Sequence, residues 1–207
     1  MSCSAEQIHV VLFDLGGVLV ELTGVPTMLG WLGNKITADE LWARWLTSPT
    51  VRAFERGRIA PDLFADQIIH EMSLPLPREE FLLTFTSWIA GLYPGAVELV
   101  NSLPAGIVRA TLANTCVLHW PRLMNDLALE PHFHHHFPSH LTGRIKPDEE
   151  AFQYVIDTLG CRPSEVFFLD DNRLNVETAR RIGMQTAHVQ GPAQARDALI
   201  QAGVLTI

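Results

Sequence analysis

Ile8-His9-Val10-Val11-Leu12-Phe13-Asp14-Leu15-Gly16-Gly17 is an apolar run that stops abruptly on a carboxylate and two glycines. A short β-branched run of this kind reads as a strand buried on both faces, as in a parallel sheet. A carboxylate at its end is costly unless a cation or hydrogen-bond donors meet it. The pattern returns far along the chain, where Val166-Phe167-Phe168-Leu169 ends on Asp170-Asp171-Asn172. In open parallel sheets the carboxyl ends of the strands gather along one edge, where ligands bind. Several carboxylates delivered to that edge make a site for a hard cation.

Outward from these two stretches, strands and helices alternate. Ile107–Leu112 and Gln185–Val189 read as further strands; Glu150–Leu159, Val176–Ile182 and Ala193–Ala202 read as helices between them. Such alternation implies βαβ units with right-handed crossovers, hence an α/β fold. Residues 1–20 and 91–207 are therefore assigned to one α/β core. Residues 21–90 are assigned to a helical insertion after the first strand. In it Ala38–Leu46, Val51–Arg56, Asp62–Met72 and Glu79–Ile89 read as helices, punctuated by Pro49, Gly57, Pro61, Pro75 and Pro77, with no strand pattern. Its aromatic residues Trp31, Trp42, Trp45, Phe54 and Phe64 fall at helical spacings and are expected to form its core.

Composition narrows the function. The 207 residues are 47% hydrophobic and 18% charged, which sets large-scale disorder aside. A net charge of −8 with no basic stripe argues against a nucleic-acid partner, while leaving room for a small phosphorylated one. Cys3, Cys116 and Cys161 are widely spaced, which suggests a reducing compartment without a disulfide framework. The opening MSCSAEQ lacks the basic start and apolar stretch of a signal peptide, and no run approaches membrane-spanning length. The expectation is a cytoplasmic protein with no membrane partner; the sequence does not speak to oligomeric state.

Four elements should meet at the edge of the sheet: Asp14, Asp170-Asp171, Leu112-Ala113-Asn114-Thr115 and Gly143-Arg144-Ile145-Lys146-Pro147. Acidic groups there suit Mg²⁺, a lysine suits an anion, and an Asp so placed suits covalent attack on phosphorus. With these motifs in this order, followed through Tyr93-Pro94-Gly95-Ala96 opening a helix, the chain resembles the haloacid dehalogenase (HAD) superfamily with a subclass I cap. Phe54-Glu55-Arg56-Gly57-Arg58-Ile59 and His70-Glu71-Met72-Ser73-Leu74-Pro75 look like the bacterial branch that includes an α-glucose-1-phosphate phosphatase.

The resemblance implies a Rossmann-like parallel sheet and a Mg²⁺-dependent phosphatase for a small phosphorylated metabolite, in the first instance a sugar phosphate. It makes Asp14 the nucleophile and a metal ligand, and it gives the ion the Gly16 carbonyl, Asp171 and Asp170. Lys146 would pair with Asp14 and the phosphoryl group, and Asn114 with nearby amides would orient that group. Thr115 and His119 are further candidates for contact with substrate. Two positions depart from the family pattern. Gly16 stands where most members carry an acid–base Asp, so phosphate esters with stabilised leaving groups, such as an anomeric phosphate, should be favoured. Ala113 stands where a Ser or Thr hydroxyl is usual; Thr111 or Thr115 would have to compensate. These departures keep a second reading open, a catalytically weakened protein with a binding or regulatory role. A third, dehalogenation by Asp14, is opposed by the acidic pair, which would repel a carboxylate substrate. The histidines in Pro131-His132-Phe133-His134-His135-His136-Phe137 lack a Cys or carboxylate at zinc spacing, and the flanking phenylalanines suggest that the stretch leads into the sheet. Cys116 has no identifiable base beside it.

Overall fold

The computed structural model describes residues 7–206; Cys3 and nearly all of the N-terminal stretch read for a targeting signal lie outside them. In chain order, strands β1 (Val10–Phe13) and β2 (Val20–Leu22) lead into helices α1 (Gly24–Trp31), α2 (Ala38–Thr47), α3 (Pro49–Glu55), α4 (Pro61–Met72) and α5 (Arg78–Thr86). The chain returns through β3 (Ile89–Leu92) to α6 (Ala96–Asn101), β4 (Val108–Ala113), β5 (His135–Pro138), α7 (Ser139–Thr142) and α8 (Glu149–Leu159). β6 (Val166–Asp170), α9 (Arg173–Ile182), β7 (Gln185–His188) and α10 (Gly191–Gln201) complete it.

Five strands form one parallel sheet in the order β5-β4-β1-β6-β7. β1 lies at its centre because all four of its residues are buried on both faces. Val11 and Phe13 enter one core layer with Leu99 of α6 and Leu199 of α10, while Val10 and Leu12 enter the other with Phe152 of α8 and Ala179 of α9. This is the two-residue alternation of a strand written into four residues. Phe13 stands opposite Thr111 of β4 and Leu169 of β6, so the next residue of each strand reaches the same carboxyl edge. The His-rich stretch does enter the sheet, as edge strand β5; His132 pairs with Asn101, His134 with the Arg109 amide and His136 with Thr111.

Helices α1–α5 share a hydrophobic cluster of their own, with Phe54 and Phe64 stacked at 4.0 Å between centroids and Phe81, Phe85 and Trp88 around them. Trp31 and Trp45 pack at its margin, but Trp42 is 42% exposed rather than part of the core. Two further expectations need correction. β2 and β3 pair antiparallel where no strand was read, because three or four residues are too few to display a two-residue period. The last helix accordingly ends at Thr86, and Ile89 is in β3. α1 is a further helix beyond the four read in this block; it forms despite Gly24, Pro26 and Gly30, and Pro26 sits in the first turn, where its missing N–H costs nothing.

The helical block is held against the α/β core by charge and by close approach. Asp148, just before α8, accepts from Arg52 at 2.6 Å and also from Arg56, which reaches Glu150 at 3.0 Å. Gly57 follows α3 with φ +69°, and a Cβ there would lie 2.4 Å from the His140 carbonyl oxygen. Away from the sheet edge, Phe152 is fully buried and meets Phe168 edge-on at 5.4 Å. Phe152→Ala should therefore lower unfolding free energy by about 3–5 kcal/mol, measured by urea denaturation, with an unchanged slope.

Candidate active site

β1 ends one residue before Asp14, whose amide donates to Leu169 O at 2.8 Å, so the carboxylate is carried on the sheet's own hydrogen bonding. Lys146 Nζ donates to Asp14 Oδ1 at 2.8 Å and to Asp170 Oδ2 at 2.7 Å. The ammonium is almost wholly buried and reaches this position from the loop between α7 and α8. Asn114, after β4, fixes that loop: its Nδ2 donates to the Lys146 carbonyl and its Oδ1 accepts from the Lys146 amide, both at 2.9 Å. The side chain expected to orient a phosphoryl group lines the cavity and also positions the lysine.

Asp170 is fully buried and heavily engaged. Its Oδ1 accepts from the Asn172 amide at 2.8 Å and Asn175 Nδ2 at 3.0 Å, and its Oδ2 from Lys146 and Asn175. Asp14, Asp170 and Asp171 each offer an oxygen within 4.8 Å of the others. Gly17, at φ +71°, makes room for this cluster: a Cβ there would lie 2.1 Å from Asp171 Oδ2. Gly16 lies beside it, and the space a side chain would take is filled by Leu22 Cδ1 at 2.8 Å.

Of the two hydroxyls that were to replace the one missing at Ala113, Thr111 is fully buried and bonded to His136 Nδ1 at 3.0 Å. Thr115 borders the cavity, but its Oγ1 is enclosed in the protein without a partner, and its backbone is tied on both sides to Ser139 Oγ at 2.9 Å. His119 packs: its ring lies 4.4 Å from that of Phe85, and its Nε2–H donates to the Phe85 carbonyl at 2.7 Å. Burial lowers its pKa, so it is a neutral wall residue. Cys116 is buried and its thiol is pushed up to about 12, which makes it inert as a nucleophile.

Above these groups a cavity of about 600 Å³ opens between the sheet edge and the helical block. One of its side chains was quoted from the sequence without a role. Glu55, at the end of α3, lines the same cavity as Asp14 and Lys146. Its carboxyl is hydrogen-bonded to Trp45 and pushed up to about 7, burial outweighing that bond and the charges of Lys146 and Arg52. The sequence signal for it was only a glutamate next to an aromatic core position; that it lines the cavity is a tertiary fact.

A family profile described as haloacid dehalogenase-like hydrolase matches residues 8–183. The chain belongs to this family. This hydrolase is 28% identical over 181 residues to the sesquiterpene phosphatase astK of Aspergillus oryzae, covering 86% of this chain and 88% of the relative. It is 29% identical to mouse acyl-CoA dehydrogenase family member 10 over 89% of its own length, but it spans only 18% of that protein. Its fold matches the crystal structure of HAD-family enzyme bt-2542 from Bacteroides thetaiotaomicron, solved with magnesium and inorganic phosphate. There the TM-score is 0.70 at 24% identity, over 87% of this chain and 93% of that one. Among the described residues no helix of the hydrolase is long and apolar enough to cross a membrane.

The electrostatics of the hydrolase's acidic cluster are unbalanced. Two carboxylates outweigh burial at Lys146 and raise its pKa, so the ammonium is firmly charged. One ammonium does not neutralise three carboxylates. Burial, followed by the charges of Asp170 and Asp171, pushes Asp14 up to about 8 against the pull of Lys146. Burial and Asp170 push Asp171 up to about 6. Hard oxygen donors in surplus over positive charge are what a divalent cation such as Mg²⁺ fits. Carboxyls with raised pKa hold protons in the folded protein that the unfolded chain releases, so their contribution to stability declines from about pH 4 to about pH 8. Protons and Mg²⁺ compete for the same oxygens. Millimolar Mg²⁺ should therefore raise the melting temperature more at pH 8 than at pH 5.5, and Asp171→Ala should abolish the rise. Equal melting curves with and without Mg²⁺ at pH 8 would contradict the site.

Proposed function

We propose that this protein is a Mg²⁺-dependent phosphomonoesterase that works through an aspartyl-phosphate on Asp14. The observation that carries the reading is the buried Lys146 bridging Asp14 and Asp170 beside a third carboxylate at the floor of a cavity. The phosphatase named among its relatives supports the same chemistry. A dehalogenase acting on a carboxylate substrate would meet repulsion from the same cluster.

Asp14, Asp171 and the Gly16 carbonyl would hold the ion, with Asp170 adding charge behind them. When bound, the ion neutralises charge on the phosphoryl oxygens. Lys146 on Oδ1, together with the ion, would hold Asp14 ionised and leave Oδ2 to attack phosphorus, and no accessible hydroxyl replaces the one missing at Ala113 among the threonines beside it. The new Asp14 O–P bond forms as the ester P–O bond breaks, and the departing alkoxide needs a proton. Gly16 has none to give, Glu21 is exposed on β2, and His119 is neutral and bonded to Phe85. Glu55, protonated up to about pH 7, is the acid in the cavity. Its carboxylate then takes a proton from the water that attacks the phosphoaspartate, releasing phosphate and restoring both groups.

Two substitutions test this scheme. Asp14→Asn should bring hydrolysis of p-nitrophenyl phosphate to background while circular dichroism stays native; substantial turnover by the pure variant overturns the mechanism. Glu55→Gln should reduce kcat on an alkyl phosphate by about 10²–10⁴-fold, since its alkoxide needs the proton. It should change kcat on p-nitrophenyl phosphate far less, because nitrophenolate leaves unaided. The wild-type fall in alkyl-phosphate turnover as pH rises through about 7 should disappear with it.

A further inference from the structure

The floor of the cavity is polar, but its walls are not. Leu22 and Trp42 line it at 41% and 42% exposure, and Leu174 lines it at 54%. Large apolar side chains exposed together at one mouth mark a binding surface more often than chance. Between them and the floor stand half-buried Val25, Trp45 and Leu46. The polar side chains of the walls are engaged: His119 with the Phe85 carbonyl and Glu55 with Trp45, while the Trp88 indole nitrogen is enclosed in the protein. Asp39, Arg173 and His188 stand only at the solvent-exposed rim.

A sugar brings a hydroxyl on nearly every carbon, and each one buried here without a partner weakens binding by about tenfold. A hydrocarbon chain meets no such cost, and about 600 Å³ is within the usual range for a small-molecule site. The space beside Gly16 follows the same logic, because Leu22 Cδ1 fills it and brings the apolar wall to within a residue or two of Asp14.

We infer that the substrate is the phosphate monoester of an apolar alcohol, its phosphate on the Asp14–Lys146 floor and its carbon skeleton against Leu22, Trp42 and Trp45. This names the substrate class of the phosphatase proposed above and rests on that reading. It replaces the sugar phosphate expected from the sequence.

The test uses n-alkylphosphonates of four to ten carbons, which are not hydrolysed, below their aggregation concentrations and with Mg²⁺ present. Binding to the wild-type protein is read by tryptophan fluorescence, since Trp42, Trp45 and Trp88 line the cavity, and by calorimetry. The dissociation constant should tighten by about fourfold per methylene until the cavity is filled, the effect of burying one CH₂. Trp45→Ala should flatten that gradient, and the phosphonate isostere of a hexose 6-phosphate should bind at least tenfold more weakly than octylphosphonate. Affinity independent of chain length, or a hexose phosphonate that binds as tightly as octyl, overturns the inference. Hydrolysis of p-nitrophenyl phosphate is scored separately. If it is absent while the gradient is present, the phosphatase reading fails and the apolar site stands. If it is present without a gradient, the reverse holds.

Discussion

Lys146 is buried between two carboxylates, and the rest of the site follows from that placement. An ammonium taken out of water is tolerated only with close countercharge and donors to complete the shell. Here Asp14 and Asp170 supply the charge at 2.8 and 2.7 Å, and Asn114 pins the lysine's backbone from the neighbouring strand end. Asn175 and the Asn172 amide hold Asp170 from α9. Three strand ends and the start of a helix are thereby tied to one cation. The arrangement is under-neutralised by design of its residue types, since Asp171 adds a further carboxylate without adding a donor of positive charge. That imbalance suits a divalent cation.

The parallel sheet was legible because buried strands must be continuously apolar, and an aspartate ending such a run is too costly to be incidental. Asp14 and Asp170-Asp171 could be put at one edge from that argument alone, and the register Phe13–Leu169 brings them there. Lys146 was legible only through the order of motifs; a lysine before a proline carries no burial signal. Asn114 lines the cavity as its place after β4 implied, but its grip on the Lys146 backbone was not legible, since sequence cannot show which nearby partners an amide takes.

The part that stayed hidden lies on the helical block. Glu55 sits beside Phe54, whose aromatic character announces a core position, and a glutamate next to a core residue ordinarily faces solvent. It faces the sheet edge instead because α3 runs across the mouth of the cavity. Leu22 was hidden for a related reason. Three residues of strand are too short to read, so the side chain that occupies the vacancy at Gly16 had no predicted position. Loss of an acid at Gly16 therefore read as a defect, whereas in three dimensions Leu22 fills that point and another carboxyl, Glu55, lines the same cavity.

The arginine contacts with Asp148 carry a consequence for motion. Glu55 ends the short helix that carries Arg52, Arg56 follows it directly, and the chain joins helical block to sheet through the pair β2 and β3. Any motion that parts α3 from α8 must first break Arg52 and Arg56 from Asp148. Those groups are 15–30% exposed, so their attraction fades over a screening length of about 8–10 Å at ordinary ionic strength and shrinks as salt rises. Rising ionic strength should therefore loosen this tie between the helical block and the sheet, separately from its effect on the charged floor.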